Sequence, residues 1–238
     1  MRLPNYSITQ LFLSQERFMS KEVWFVRHGE SVSNANLPTT HPSASELTEK
    51  GHREAEYVAQ AFARKPDLIV VSPYVRARQT AVPTINRFDP VPVAEWPVYE
   101  FSYLHPEKYN GTTGEQRWPD AQAYWQRMDP QENEGGEGES FADMLTRVRE
   151  METSLRAAPE PFIVVFSHGL FLRAFLWMQL SGFQEATRQA MERYLLFSRG
   201  IAMPNGSILK VRFEPDGRLF FSPFDTAHIP EKLGLVDE

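Results

Sequence analysis

Two apolar runs of the chain each end in a histidine followed by glycine: Val23-Trp24-Phe25-Val26-Arg27-His28-Gly29 and Phe162-Ile163-Val164-Val165-Phe166-Ser167-His168-Gly169. Both runs are rich in β-branched and aromatic residues and are short, which is the pattern of buried strands. A cation and an imidazole are a poor finish to a strand if packing is all that matters. They are well placed for chemistry, because open α/β sheets bind ligands at the carboxyl ends of their strands. Gly29 lets the backbone turn and come close to whatever the two side chains hold. A third apolar run, Leu68-Ile69-Val70-Val71, ends in Ser72 and leads to Arg76. If the three strands are parallel, His28, His168, Arg27 and Arg76 share one crevice at one edge of the sheet.

That set of side chains suits phosphoryl transfer. A phosphoryl group spreads negative charge over three oxygens and needs cations and donors around it. The planar fork of arginine binds two such oxygens at once. A neutral imidazole with a free lone pair is a nucleophile near neutral pH. For His28 this requires the other ring nitrogen to donate to an acceptor, expected to be a backbone carbonyl near Gly29. His168, held cationic beside the phosphate, adds charge stabilisation; a cationic histidine at a helix N-terminus makes sense only with an anion nearby. Asn34 can donate its amide to a phosphate oxygen, and Gly169 belongs to the binding set. The leaving alkoxide needs a proton, and Glu100, which follows the short Val91-Pro92-Val93 strand, is the candidate donor.

The elements that must position these residues alternate. The periodicity predicts a helix capped by Thr48 and running to Arg64, and a helix capped by Ser72 with Pro73 in its first turn. Further helices are predicted over 119–128, 140–158, 170–180 and 184–194, the last exposed. A closing β-hairpin turns at Pro215-Asp216-Gly217. This alternation implies an α/β domain, a three-layer α/β/α sandwich with a mainly parallel central sheet. Residues 102–139 are irregular and aromatic, with an acidic run from Asp129 to Glu139 that is expected to be solvated; a loop region of this length is read as a substrate-side insertion. Residues 21–238 are taken as one domain. Residues 1–20 are set apart as an N-terminal extension. Met19-Ser20-Lys21 would make a natural start, so residues 1–18 are either peripheral, translated from an unused upstream start, or an amphipathic segment packed on the domain.

Composition narrows the function classes. The net charge of −6 argues against general nucleic-acid binding. With no cysteine there is no disulfide framework, thiol nucleophile or Cys-based metal site. No apolar run approaches a membrane span, and the start lacks the basic and apolar regions of a secretory signal. The expectation is a cytoplasmic protein, a monomer or homodimer, acting on a small phosphorylated substrate without nucleic acid, membrane, metal or cofactor.

The residues Arg27-His28-Gly29-Glu30-Ser31 with Asn34, Leu47-Thr48 with Gly51, Ser72-Pro73 with Arg76-Ala77 and Gln79-Thr80, Glu100, and Ser167-His168-Gly169 resemble the histidine phosphatase superfamily, also called phosphoglycerate mutase-like. They occur in that family's order over residues 22 to about 180. The resemblance implies a phosphoglycerate mutase-like fold, a phosphorylated His28, phosphoryl binding by Arg27, Arg76 and His168, and Glu100 as general acid and then base. Mutases of the family usually follow the catalytic glutamate with a stretch like Arg-His-Tyr-Gly. Here it is Phe101-Ser102-Tyr103-Leu104, which favours a phosphatase hydrolysing phosphomonoesters. The alternatives are a phosphoglycerate mutase-type transfer, a non-catalytic phospho-ligand binder, and a two-histidine metal hydrolase.

Overall fold

In the computed structural model, which describes residues 20–183 and 185–230, six strands form one sheet in the order β3-β2-β4-β1-β5-β6. They are β1 (Lys21–Arg27), β2 (Leu68–Val71), β3 (Val93–Glu95), β4 (Phe162–Ser167), β5 (Ile208–Phe213) and β6 (Leu219–Asp225). β1 and β2 both pair with β4 in parallel, and β3 lies parallel to β2. β5 and β6 are antiparallel, as the turn residues of the hairpin require. The sheet is therefore mainly parallel, with Arg27 and Ser167 facing each other as register partners at the ends of their strands.

Among the described residues, six α-helices cover the sheet: α1 (Glu49–Gln60), α2 (Val75–Arg87), α3 (Gly114–Arg127), α4 (Phe141–Ala157), α5 (Gly169–Ser181) and α6 (Arg188–Gly200). Strand side chains alternate between two apolar layers. Val26, Ile69, Val71 and Val164 pack with Val58, Phe62 and Ala81 on the α1–α2 face. Val23, Phe25, Val70 and Val165 pack with residues of α4, α5 and α6 on the other. This is the three-layer α/β/α arrangement expected from the sequence. None of the helices among the described residues is long and apolar enough to cross a membrane.

Several boundaries differ from the sequence reading. Helix α1 stops at Gln60 rather than Arg64, and β3 begins at Val93 because the prolines before it lack the donor a ladder needs. Helix α3 starts at Gly114, five residues before Pro119, because Thr113 and Gln116 form a capping box. Helix α6 starts at Arg188, behind a Thr187 cap, and buries Ala190, Met191 and Tyr194 instead of standing exposed. Ser72 is not a helix cap: α2 begins at Val75, and Tyr74 in the cap position makes no side-chain capping bond. The acidic run is not simply solvated either, since Glu139 is buried in an ion pair with Arg147. Residues 1–19 lie outside the described residues, and with them the reading of the N-terminal extension.

Candidate active site

The site is built at the carboxyl edge of the parallel strands. β1 delivers Arg27 and then His28, and β4 delivers His168, the N-cap of α5. Both imidazoles are buried, with ring centroids 5.0 Å apart. Gly29 is where the chain turns away. A Cβ there would lie 2.5 Å from the carbonyl oxygen of Gly51, and one on Gly51 would lie 2.0 Å from that of Glu30. Only glycines allow this approach of the Gly29–Glu30 backbone to the first turn of α1. The contact is tied by Thr80 Oγ1, which accepts from Gly29 N at 3.0 Å, and by Glu54 Oε2, which accepts from Glu30 N at 2.6 Å.

The chemistry of His28 follows from its two ring nitrogens. Nδ1 lies 2.7 Å from the carbonyl oxygen of Gly29, which can only accept, so Nδ1 carries the proton. Nε2 then bears the lone pair, and Arg76 Nε donates to it at 3.1 Å. Burial first, then the charges of Arg76 and Arg27, push the His28 pKa well below the ordinary histidine value. The ring is thus neutral across the physiological range, as a nucleophile must be.

Arg76, the second residue of α2, is buried and also donates to the Pro42 carbonyl at 2.7 Å. Arg27 donates through one terminal nitrogen to the Met203 carbonyl, while its Nε is buried without a hydrogen-bond partner among the described residues. Burial lowers the Arg27 pKa to about 10, with Arg173 and Arg76 adding to the fall and Glu100 opposing it. Neither arginine has a carboxylate within ion-pair distance among the described residues. Two desolvated guanidinium groups without a counter-ion favour an incoming anion.

His168 differs from the sequence expectation in charge. Burial, with Arg76 and His28 next, holds its pKa well below the ordinary value, so it is neutral here rather than cationic. Its Nε2 lies 2.7 Å from Ser72 Oγ, and its Nδ1 is buried without a partner among the described residues. That unpaired nitrogen is the one His168 group open to an incoming ligand. Tyr74 packs edge-on against the same ring, with centroids 5.2 Å apart.

Glu100 reaches the site from the loop after β3. Its Oε1 accepts from Leu170 N at 3.0 Å and Phe171 N at 3.1 Å, so the carboxylate sits on the N-terminus of the helix that His168 opens. The loop is pinned by Ser167 Oγ, which donates to the Val98 carbonyl at 2.6 Å, and by Arg147, which donates to the Pro97 and Tyr99 carbonyls. Glu100 and Arg76 line the same cavity, of about 280 Å³.

Asn34 lies in the exposed loop over His28. Its Oδ1 accepts from Ser31 N, Ser31 Oγ and Asn205 Nδ2, leaving its amide N–H groups as the unengaged donors. Gly169 is buried as the first residue of α5; a Cβ there would lie 3.0 Å from an Arg173 nitrogen and 3.4 Å from Arg27 Nε, so its smallness makes room for the two guanidinium groups. The structure thus brings His28, His168, Arg27, Arg76 and Glu100 to one crevice, with Gly169 behind Arg27 and Asn34 at its edge.

The sequence reading missed Ser72 as the partner of His168. It also missed Asn205, whose Nδ2 donates to the His28 carbonyl at 3.1 Å as well as to Asn34. Asn205 carries no local signal, since it belongs to a loop far along the chain. Arg78 and Glu30 fall outside the crevice: Arg78 pairs with Glu95 on the surface, and Glu30 pairs with Lys50. Among the described residues, no group of three or more His, Cys, Asp or Glu side chains could hold a metal ion.

Comparison with known proteins agrees with this fold. Residues 23–222 match the model of the histidine phosphatase superfamily, branch 1. A curated relative from Yersinia enterocolitica, named probable phosphoglycerate mutase GpmB, is 30% identical over 187 residues, covering 75% of this chain and 83% of the relative. Among solved structures, a mycobacterial glucosyl-3-phosphoglycerate phosphatase superposes with a TM-score of 0.65 at 22% identity, covering 87% of this chain and 100% of the other. A phosphoserine phosphatase from Entamoeba histolytica, in complex with 3-phosphoglyceric acid, gives 0.66 at 21% identity, covering 88% of this chain and 100% of the other. At that identity the superpositions speak for the fold. The family match spans most of the chain, and with it the chain belongs to the histidine phosphatase superfamily.

Proposed function

We propose that the protein hydrolyses a small phosphorylated metabolite through a phosphohistidine at His28. The observation that carries this is the Nε2 lone pair of a neutral, buried His28 set between two arginines without counter-ions. In the first step Nε2 attacks phosphorus, the N–P bond forms, and the bond to the ester oxygen breaks. Glu100, in its protonated form, gives its proton to the departing alkoxide. Arg27 and Arg76 neutralise the charge on the equatorial oxygens, and the neutral His168, through Nδ1–H, and Asn34 each donate a hydrogen bond to one of them. In the second step Glu100 takes a proton from water, the water oxygen attacks phosphorus, and the N–P bond breaks to release orthophosphate and restore His28. No step draws on a metal ion or cofactor.

The test is hydrolysis of a generic aryl phosphate without added metal. Activity is expected in the wild type and absent in His28→Ala, with acid-quenched wild-type enzyme carrying a trapped phosphohistidine. Undiminished activity in His28→Ala would overturn the reading. The similarity to a probable phosphoglycerate mutase favours one second reading, transfer between two hydroxyls of a substrate. Parallel assays of phosphate release and of isomerisation separate the two. The Phe101-Ser102-Tyr103-Leu104 stretch after Glu100 supports release.

A further inference from the structure

Glu54 is a carboxylate on a helix face that is otherwise small or apolar. Helix α1 buries Gly51, Glu54, Ala55, Val58 and Ala59, so the acid lies on the inward side one turn after the glycine that meets the Glu30 backbone. A buried ionisable group costs stability unless it is bonded. No lysine, arginine or histidine lies within ion-pair distance of Glu54 among the described residues. Lys50, the nearest cation on the same helix, pairs with the side chain of Glu30 instead. Glu54 is satisfied by the main chain: Oε2 accepts from Glu30 N at 2.6 Å. Burial raises its pKa, and the Glu30 N–H with the charges of Lys50 and Arg27 opposes that rise.

The N–H that Glu54 binds belongs to the Gly29–Glu30 peptide. The carbonyl of that same peptide is the one 2.7 Å from His28 Nδ1. A trans peptide is planar, with its N–H and C=O pointing in opposite directions, so holding one end sets the direction of the other. These are the only two hydrogen bonds of the unit among the described residues. The neighbouring peptides are held separately, by Thr80 Oγ1 accepting from Gly29 N at 3.0 Å and by Thr48 N donating to the Glu30 carbonyl at 2.9 Å. Gly29 has no Cβ to resist rotation of the peptide that follows it. Glu54 is thus the one side chain that fixes how this unit is turned.

We propose that Glu54 is a positioning residue for the nucleophile: by accepting from Glu30 N it keeps the Gly29 carbonyl turned to the Nδ1–H of His28, so that Nε2 retains the lone pair. This rests on the phosphatase reading of the site. The two bonds run head to tail, carboxylate to N–H and carbonyl to Nδ1–H, and each polarises the next. When Nε2 bonds to phosphorus the ring gains positive charge, which a carbonyl polarised in this way stabilises. A carboxylate bonded directly to a catalytic imidazole sets its tautomer in the same manner; here a peptide stands between the two. Arg76 Nε also meets Nε2 in the free protein. Once that arginine turns to the phosphoryl oxygens, the peptide is what fixes the ring.

The experiment compares wild type, Glu54→Gln and Glu54→Met. Gln keeps an oxygen acceptor for Glu30 N, whereas Met keeps the bulk without the acceptor. With phenyl phosphate as substrate, kcat per folded enzyme should fall about tenfold or more in Glu54→Met with little change in KM, and Glu54→Gln should recover most of it. Equal kcat in wild type and Glu54→Met would overturn the proposal, and so would a loss in Glu54→Gln as large as in Glu54→Met. If Glu54→Met does not fold, Glu54→Asp, one methylene short of Glu30 N, takes its place under the same two outcomes. The ring is read separately by proton–nitrogen NMR of the histidine side chains in the presence of orthophosphate, with His28 identified by the signals lost in His28→Asn. Wild type and Glu54→Gln should show Nδ1 protonated and Nε2 bare, and Glu54→Met a mixture of tautomers. An unchanged His28 spectrum in Glu54→Met would overturn the proposal while leaving the phosphatase reading intact. If the wild type hydrolyses no ester, the phosphatase reading fails and the spectra alone judge Glu54.

Discussion

Arg76 Nε donates to His28 Nε2 at 3.1 Å, and in the proposed mechanism this contact links the anion clamp to the nucleophile. It is compatible with only one arrangement of the His28 proton, since Nδ1 already faces the Gly29 carbonyl at 2.7 Å. The lone pair therefore faces a guanidinium, so that in the proposed mechanism the attacking atom and its electrostatic support are pre-assembled.

The same burial gives a pH signature. The pKa of His28 and that of His168 are both depressed in the folded protein, so the unfolded chain takes up protons that the folded one refuses. The contribution to stability is fully present above the unfolded histidine value near 6.5 and is lost as pH falls below it. The loss should approach about 1.4 kcal/mol per pH unit for each imidazole. Urea unfolding at pH 7.5 and 5.5 measures it; the difference should shrink in a His28→Asn, His168→Asn double variant. A stability unchanged between the two pH values would contradict the neutral assignment.

Ser72→Ala should act on His168. It removes the 2.7 Å partner of Nε2 and leaves a buried ring nitrogen unpaired, at a cost of about 1–3 kcal/mol. The expected kinetic result is a fall in kcat of about tenfold or more with a smaller change in KM, and partial rescue by Ser72→Thr. An equal loss in every kinetic parameter, tracking the folded fraction, would reduce the contact to a packing role.

Arg147→Met should loosen the loop that carries Glu100. The Arg147–Glu139 pair is buried, and Arg147 also donates to the carbonyls of Pro97 and Tyr99. Removing one partner leaves Glu139 buried and uncompensated, which destabilises by about 3–5 kcal/mol. Adding Glu139→Leu should return most of the stability in thermal melts but not the rate, because the two carbonyl contacts remain lost. Full recovery of kcat in the double variant would show that Glu100 is positioned without Arg147.

Gly51→Ala should destabilise by about 1–3 kcal/mol or more, because the clash is with backbone and no rotamer relieves it. The displaced Glu30 adjoins Gly29 and His28, so activity should fall beyond the loss of folded protein. Chemical denaturation together with active-site titration by phosphohistidine trapping separates the two effects.

What the sequence determined by itself is what local patterns carry. Apolar β-branched runs ending in His-Gly specify strands and the residues at their ends, and the strand–helix alternation implies a parallel sheet. A parallel sheet brings His28, His168 and the Ser72–Arg76 turn to one edge, so the core of the site was legible before any coordinates. Tertiary structure alone decided the partners. Ser72 turns to His168, Asn205 braces Asn34, Arg147 holds the Glu100 loop, and Glu54 takes the Glu30 N–H. These contacts join residues from distant parts of the chain that no periodicity relates. The charge of His168 is of the same kind: residue type makes it ionisable, and only the depth of its burial among arginines makes it neutral.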